Sequence, residues 1–373
     1  MMRKHFSRAV LIAAMTVAGV AGDWLSGRDA AAQGQAASVP MFEVDPTWPK
    51  VPPKWKMGDV SSIAIDAQGN IWVLHRPRTL KPEDAAMAAP PVMVFDVAGN
   101  FLKAWGGDGA GYEWPQREHG IHIDHKGYVW LGGNNCPTNG LTNVKPVNDD
   151  QVLKFTQDGK FVMQIGRSNQ SKGNADTLNF HRPADAWVYP KSNELFVADG
   201  YGNRRVAVFD ADSGKFKRMW GAFANKPTDD DSCAVRGRKE FPEGPGPDQF
   251  NTVHGIRVSN DGIVYVADRE NRRLQTFTLD GKFIKQVYRY SAPFARSLAF
   301  SPDPEQQFLY VAGGKDIAVV NRRTLEIVTT IAGGGLVQGG HQISSDARGN
   351  IYVAQTNQGI QKLAFKGMSS PGR

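Results

Sequence analysis

A chain of 373 residues with a formal charge of +7 is only modestly basic. Its lysines and arginines form no cluster interleaved with aromatics, so nucleic acid is not the expected partner. Only Cys136 and Cys233 occur, which permits one disulfide in an oxidising compartment and equally two separate thiols.

In chain order, residues 1–39 read as a secretory signal and spacer. Arg3, Lys4 and Arg8 precede the apolar run Ala9 to Ala21, and small residues around Ala30 to Ala37 offer cleavage sites. The run is too short for a comfortable membrane span, so a secreted or periplasmic mature chain without one is expected. Residues 40–365 are then expected to form one domain, followed by a polar tail at 366–373.

Within that domain one unit repeats. The hairpin SIAIDAQGNIWVLHR from Ser62 returns from Gly120, Asp185, His254, Ser297 and Gln342, with alternating apolar residues around a turn that contains Gly or Asn in every copy but the one from Ser297. A second hairpin follows most copies, as in VMVFDVAGNFLKAWG from Val92 and VLKFTQDGKFVMQIG from Val152. A four-stranded unit of this size cannot bury both faces alone and should stack on its copies. The sixth copy shows three strands, and Met41-Phe42-Glu43-Val44 has the length to supply the fourth. The expected fold is therefore all-β, a six-bladed β-propeller of four-stranded antiparallel blades closed by the N-terminal strand. Three loops exceed what such a meander needs, Pro77 to Pro91, Asn134 to Asn148 and Ala222 to Asn251, and should wall a pocket over one face.

Aligning the six hairpins isolates one position, the residue just before the first strand: Ser61, His119, Ala184, His254, Arg296 and His341. The histidines fall on alternate blades. Since inner strands line the axis, the three imidazoles should converge about 120° apart by symmetry, the ligand set of a catalytic zinc site with an open fourth position. A histidine at a strand start can equally be a packing residue; three at one repeat position favour metal. His122, His125 and His181 do not share the position, and His75 reads as structural or supporting.

These residues carry a resemblance. VSSIAID and LHR between Val60 and Arg76, HGIHID at His119, FVADGYGN at Phe196, VADREN at Val266 and GHQI at Gly340 resemble the lyase domain of the peptidylglycine amidating enzyme family, a zinc-dependent member of the NHL-repeat propellers. The resemblance implies zinc on His119, His254 and His341, a catalytic Tyr201 in DGYGN, and active-site arginines Arg76 and Arg269. It implies cleavage of an α-hydroxyglycine amide to a primary amide and glyoxylate. In that chemistry Tyr201 would be the general base, Arg76 its positive neighbour, and Arg269 the fork on a substrate carboxylate.

Arg205 and Arg273 recur after Asp199 to Asn203 and Asp268 to Asn271 and read as repeat architecture, an ion pair between blades. Two departures matter. The family has a cysteine at Gly202, and an aspartate that helps hold a structural calcium stands as Gln342 here. An uncharged amide is a poor calcium ligand, so that second ion is expected to be absent or weakly held unless Asp66 or Asp124 completes the site. The expected partner is a small-molecule or peptide-derived substrate, and the expected state a monomer. Two other classes fit the fold: a calcium-dependent lactone or sugar hydrolase, which would want carboxylates at the channel mouth, and a non-enzymatic NHL-type binding propeller, which would need no metal.

Overall fold

Three of the blades, the first, second and sixth, begin with a hairpin whose turn is built by one aspartate. In the first, Asp66 Oδ1 accepts the backbone N–H groups of Gln68 and Asn70 at 3.0 and 2.8 Å, while Oδ2 accepts the side-chain N–H groups of Asn70 and Trp72 at 3.0 and 2.9 Å. Asp124 and Asp346 repeat the device, ending on Trp130 Nε1 and the Tyr352 hydroxyl. An aspartate that caps its own turn fixes hairpin register before any tertiary contact forms. Both carboxylate oxygens of Asp66 and of Asp124 are thus bonded within their own turns.

The computed structural model describes residues 38–369 apart from 139, 141–142, 230–232, 234–244, 290–293, 334, 336–339 and 358. The expected signal lies outside the described residues. Among the described residues no helix is long and apolar enough to cross a membrane.

Six four-stranded antiparallel sheets form the fold. Their inner strands are Asp59–Ile65, Glu118–Ile123, Asp185–Tyr189, Val253–Val258, Ser297–Phe300 and Gln342–Ser345, and neighbouring inner strands contact one another around the axis. The sixth blade is closed by the N-terminal strand Pro40–Asp45, which pairs with Gly359–Met368 so that Phe42 faces Phe365 and Val44 faces Leu363. That last strand runs through Lys366, Gly367 and Met368, three residues past the expected end of the domain at 365. Pro40 pairs with Met368, and Lys366 meets Glu43 at 2.9 Å, which keeps a polar segment in the sheet.

Burial follows the stacking. Six apolar clusters each join two adjacent blades, as where Trp72 and Leu74 of the first meet Ile121, Leu131 and Phe155 of the second. The repeat arginines sit within blades, not between them as expected from sequence. Arg205 is the cross-strand partner of Asp199 and meets it at 2.8 Å, and Arg273 is likewise opposite Asp268 at 2.7 Å, all four side chains fully buried. Cys136 and Cys233 are joined in a disulfide, with Cα atoms 5.8 Å apart.

Candidate metal centre and active site

The six positions before the inner strands form a ring with two kinds of member. His119 Nδ1 donates to the Ala184 carbonyl, His254 Nδ1 to that of Arg296 and His341 Nδ1 to that of Ser61, each at 2.7 Å. Every histidine is therefore held by the residue at the same repeat position on the next blade. A carbonyl can only accept, so Nδ1 carries the proton in all three rings and each Nε2 presents a lone pair. The rings converge with centroids 4.8 Å apart in every pair, and their ligand atoms lie within 4.8 Å of one another. Tetrahedral zinc would want such nitrogens about 3.3 Å apart.

Electrostatics keeps these rings neutral. Burial holds the pKa of His119, His254 and His341 well below the ordinary histidine value, and positive neighbours add to it, Arg76 at His119 and His341 and Arg269 at all three. Neutral imidazole with a carbonyl behind Nδ1 is the form that binds a transition metal, and the second partner orients each ring. The donor set fits zinc: three nitrogens, no carboxylate among them, and an open side.

Tyr201 occupies that open side. Its hydroxyl lies 2.9 Å from His119 Nε2 and 3.2 Å from His254 Nε2, and it accepts a hydrogen bond from Arg269 Nη1 at 2.8 Å. The loop reaches this place because of glycine. A Cβ on Gly200 would fall 2.1 to 2.6 Å from the backbone of Val253, so only glycine lets the tyrosine turn lie against the fourth blade beside His254. At Gly202 a Cβ would fall 1.6 Å from the His181 ring. The space that a cysteine would need here is filled by His181.

The two expected arginines are both near the phenol, and the one in direct contact with it is Arg269. Arg269 divides its fork between the Glu270 carboxylate, 2.7 Å from Nε, and Tyr201. It is thus the direct positive neighbour of the phenol. Arg76, at the end of the strand Ile71–Arg76, is buried and uses Nε on the Glu118 carbonyl at 2.7 Å. Burial, and then the charge of Arg117, pulls its pKa down to about 10. His75 braces this strand: its Nδ1 accepts from Gly58 N at 3.2 Å, its Nε2 donates to the Pro90 carbonyl at 2.9 Å, and burial lowers its pKa to about 4.

Arg296 stands on the aligned ring, yet sequence reasoning assigns it no role. Its carbonyl holds His254, and its guanidinium packs over Gly314 within electrostatic reach of Arg269, Glu270 and Tyr201. That guanidinium has no hydrogen-bond or ion-pair partner among the described residues. Its place in the repeat was the available signal. Gln342 Oε1 accepts the Ser297 hydroxyl at 2.5 Å, so the amide ties two inner strands where the family has its calcium aspartate. His122 and His181 stand apart from the three, and His125 is exposed.

Residues 250–277 match the NHL repeat family. The chain is 28% identical over 291 residues to peptidyl-glycine alpha-amidating monooxygenase B of Xenopus laevis, covering 74% of this chain and 29% of that protein. It is 23% identical over 357 residues to peptidyl-alpha-hydroxyglycine alpha-amidating lyase 1 of Drosophila melanogaster, covering 85% of this chain and 59% of that one. The chain thus spans under a third of the first relative and under two thirds of the second. Among solved structures, streptogramin B lyase superimposes with a TM-score of 0.52 at 13% identity, covering 88% of this chain and 98% of that one, a likeness of fold. The chain is a six-bladed propeller that carries an NHL repeat and is similar in sequence to the amidating lyases.

Proposed function

We propose that the protein is a zinc-dependent carbon–nitrogen lyase that converts an α-hydroxyglycine-type amide to a primary amide and glyoxylate. The observation that carries this reading is the Tyr201 hydroxyl, which lies 2.9 and 3.2 Å from the Nε2 lone pairs of two of three converging, Nδ1-protonated imidazoles, with its one proton for either, and accepts from Arg269. His119, His254 and His341 would hold the ion, which when bound supplies Lewis acidity toward a substrate oxygen. Tyr201 accepts the proton of the substrate hydroxyl as the C–N bond breaks, and the departing amide nitrogen gains a proton. One O–H and one C–N bond are lost and one C=O and one N–H bond are formed. Arg269 steadies the phenolate through its 2.8 Å hydrogen bond. With that fork in use, a substrate carboxylate falls to Arg296 and to the Nη atoms of Arg76.

The competing classes fit less well. A calcium-dependent hydrolase wants carboxylates where this ring has imidazoles, and a binding propeller gives no reason to place a phenol against two of them. The disulfide fits an oxidising, extracytoplasmic compartment. The test is incubation of the zinc-loaded and chelator-stripped protein with α-hydroxyhippurate. Benzamide and glyoxylate should form in equal amounts with the loaded protein alone, and no turnover in either sample would end the proposal.

A further inference from the structure

A second ring of equivalent positions lies three residues further along each inner strand: Ala64, His122, Trp187, Arg257, Ala299 and Ser344. All six line one cavity of about 300 Å³ at the other end of the channel. At roughly 3.3 Å per strand residue this places it about 10 Å from the three imidazoles. Between them lie the fully buried Ser297–Gln342 hydrogen bond and the Asp185 carboxylate.

The ring is lopsided. Blades one and five contribute alanine, which opens the cavity, while blades two to four contribute His122, Trp187 and Arg257. The His122 ring stacks on Trp187 with centroids 4.6 Å apart and planes 34° apart, and the Arg257 guanidinium lies 5.1 Å from the Trp187 ring. Arg257 is nearly fully buried, yet only Nη1 is used, on Asp185 Oδ2 and the Ile256 carbonyl, both at 2.6 Å. Its Nε and Nη2, the edge of the fork that matches two carboxylate oxygens, have no partner among the described residues and are not sealed from the cavity. His122, 7% exposed, has a buried Nε2 with no hydrogen-bond partner. A buried polar atom left unsatisfied costs about 1–3 kcal/mol. The two carboxylates in the lining are already bonded: Asp346 caps its own turn, and Asp303 takes the Ser301 hydroxyl and Gln307 N.

We propose that this opposite mouth of the channel is a second ligand site, taking a small planar organic carboxylate whose charge meets the Nε/Nη2 edge of Arg257 and whose flat face lies against the wall formed by Trp187. Ile63, Ile121 and Ala299 complete an apolar surround, which selects an organic acid over an inorganic anion. The site is independent of the proposed lyase chemistry.

The probe is benzoate, with benzyl alcohol as the uncharged control, titrated calorimetrically into zinc-loaded protein. Saturable benzoate binding is expected, lost at least tenfold in the double variant Asp185→Asn/Arg257→Met, which removes the guanidinium without orphaning its carboxylate. Ala299→Leu fills the cavity from the far wall without touching the ion pair and should lose the same binding. Both variants should keep wild-type zinc content, which separates this site from the metal end. Benzoate binding unchanged in Ala299→Leu, or benzyl alcohol binding as tightly as benzoate, would overturn the proposal.

Discussion

Replacing Tyr201 by Phe removes one oxygen and leaves the ring in place. That oxygen has three polar neighbours, His119 Nε2 at 2.9 Å, His254 Nε2 at 3.2 Å and Arg269 Nη1 at 2.8 Å. The imidazoles keep their carbonyl partners and Arg269 keeps Glu270, so the fold should lose only the Arg269 Nη1 hydrogen bond, about 1–3 kcal/mol. The three histidines proposed to hold zinc are untouched, and zinc content should equal that of the wild type. Turnover should not survive. A positioned general base contributes about 10² to 10⁴ in rate, or roughly 2.7–5.4 kcal/mol of barrier. The assay is glyoxylate release from α-hydroxyhippurate under saturating substrate, with metal analysis of the same sample. A Tyr201→Phe enzyme within about threefold of wild type, still holding its zinc, would show that the phenol is a packing residue and that the proton leaves by another route.

His341→Ala should lower zinc retention by at least tenfold in equilibrium dialysis, whereas the exposed His125→Ala should leave it unchanged. Gln342→Asp should create a calcium-dependent rise in the thermal midpoint that wild type lacks, and a large chelator effect on wild type would contradict the reading. The Arg218 fork, with Lys217, holds the Glu194 carboxyl down at about 2. Because the folded pKa lies below the unfolded one, this stability is fully present above about pH 4.5 and is lost as pH falls toward 2. Glu194→Gln should thus cost about 1–2 kcal/mol at pH 7, after allowance for solvent screening, and almost nothing near pH 2 in denaturant titrations.

The blades were legible because each announces itself twice, by alternation along the strand and by an aspartate or glycine turn that fixes where alternation restarts. The three histidines were legible only as a repeat position, since no single one differs from a packing histidine. What surrounds them was not. Which arginine meets Tyr201 depends on how closely Gly200 lets one loop approach Val253, a steric fact without local signature. The direction of the Asp199–Arg205 and Asp268–Arg273 pairs depends on hairpin register, which places them across one sheet and not between two. The strand beyond residue 365 was hidden because its polar residues answer to Pro40 and Glu43, more than 300 positions away in the chain.

The Nδ1 bonds give the ring a mechanical meaning. Each imidazole belongs to one blade and leans on the next, so the three together span second to third, fourth to fifth, and sixth to first. The last of these crosses the seam where the chain's two ends are sewn together by the strand at Pro40–Asp45. An ion gripped by all three nitrogens would act as a hub from which alternate spokes are tightened. Loosening the hub would be felt at the seam, so removal of the closing strand and removal of the metal should weaken one another's effects and not simply add.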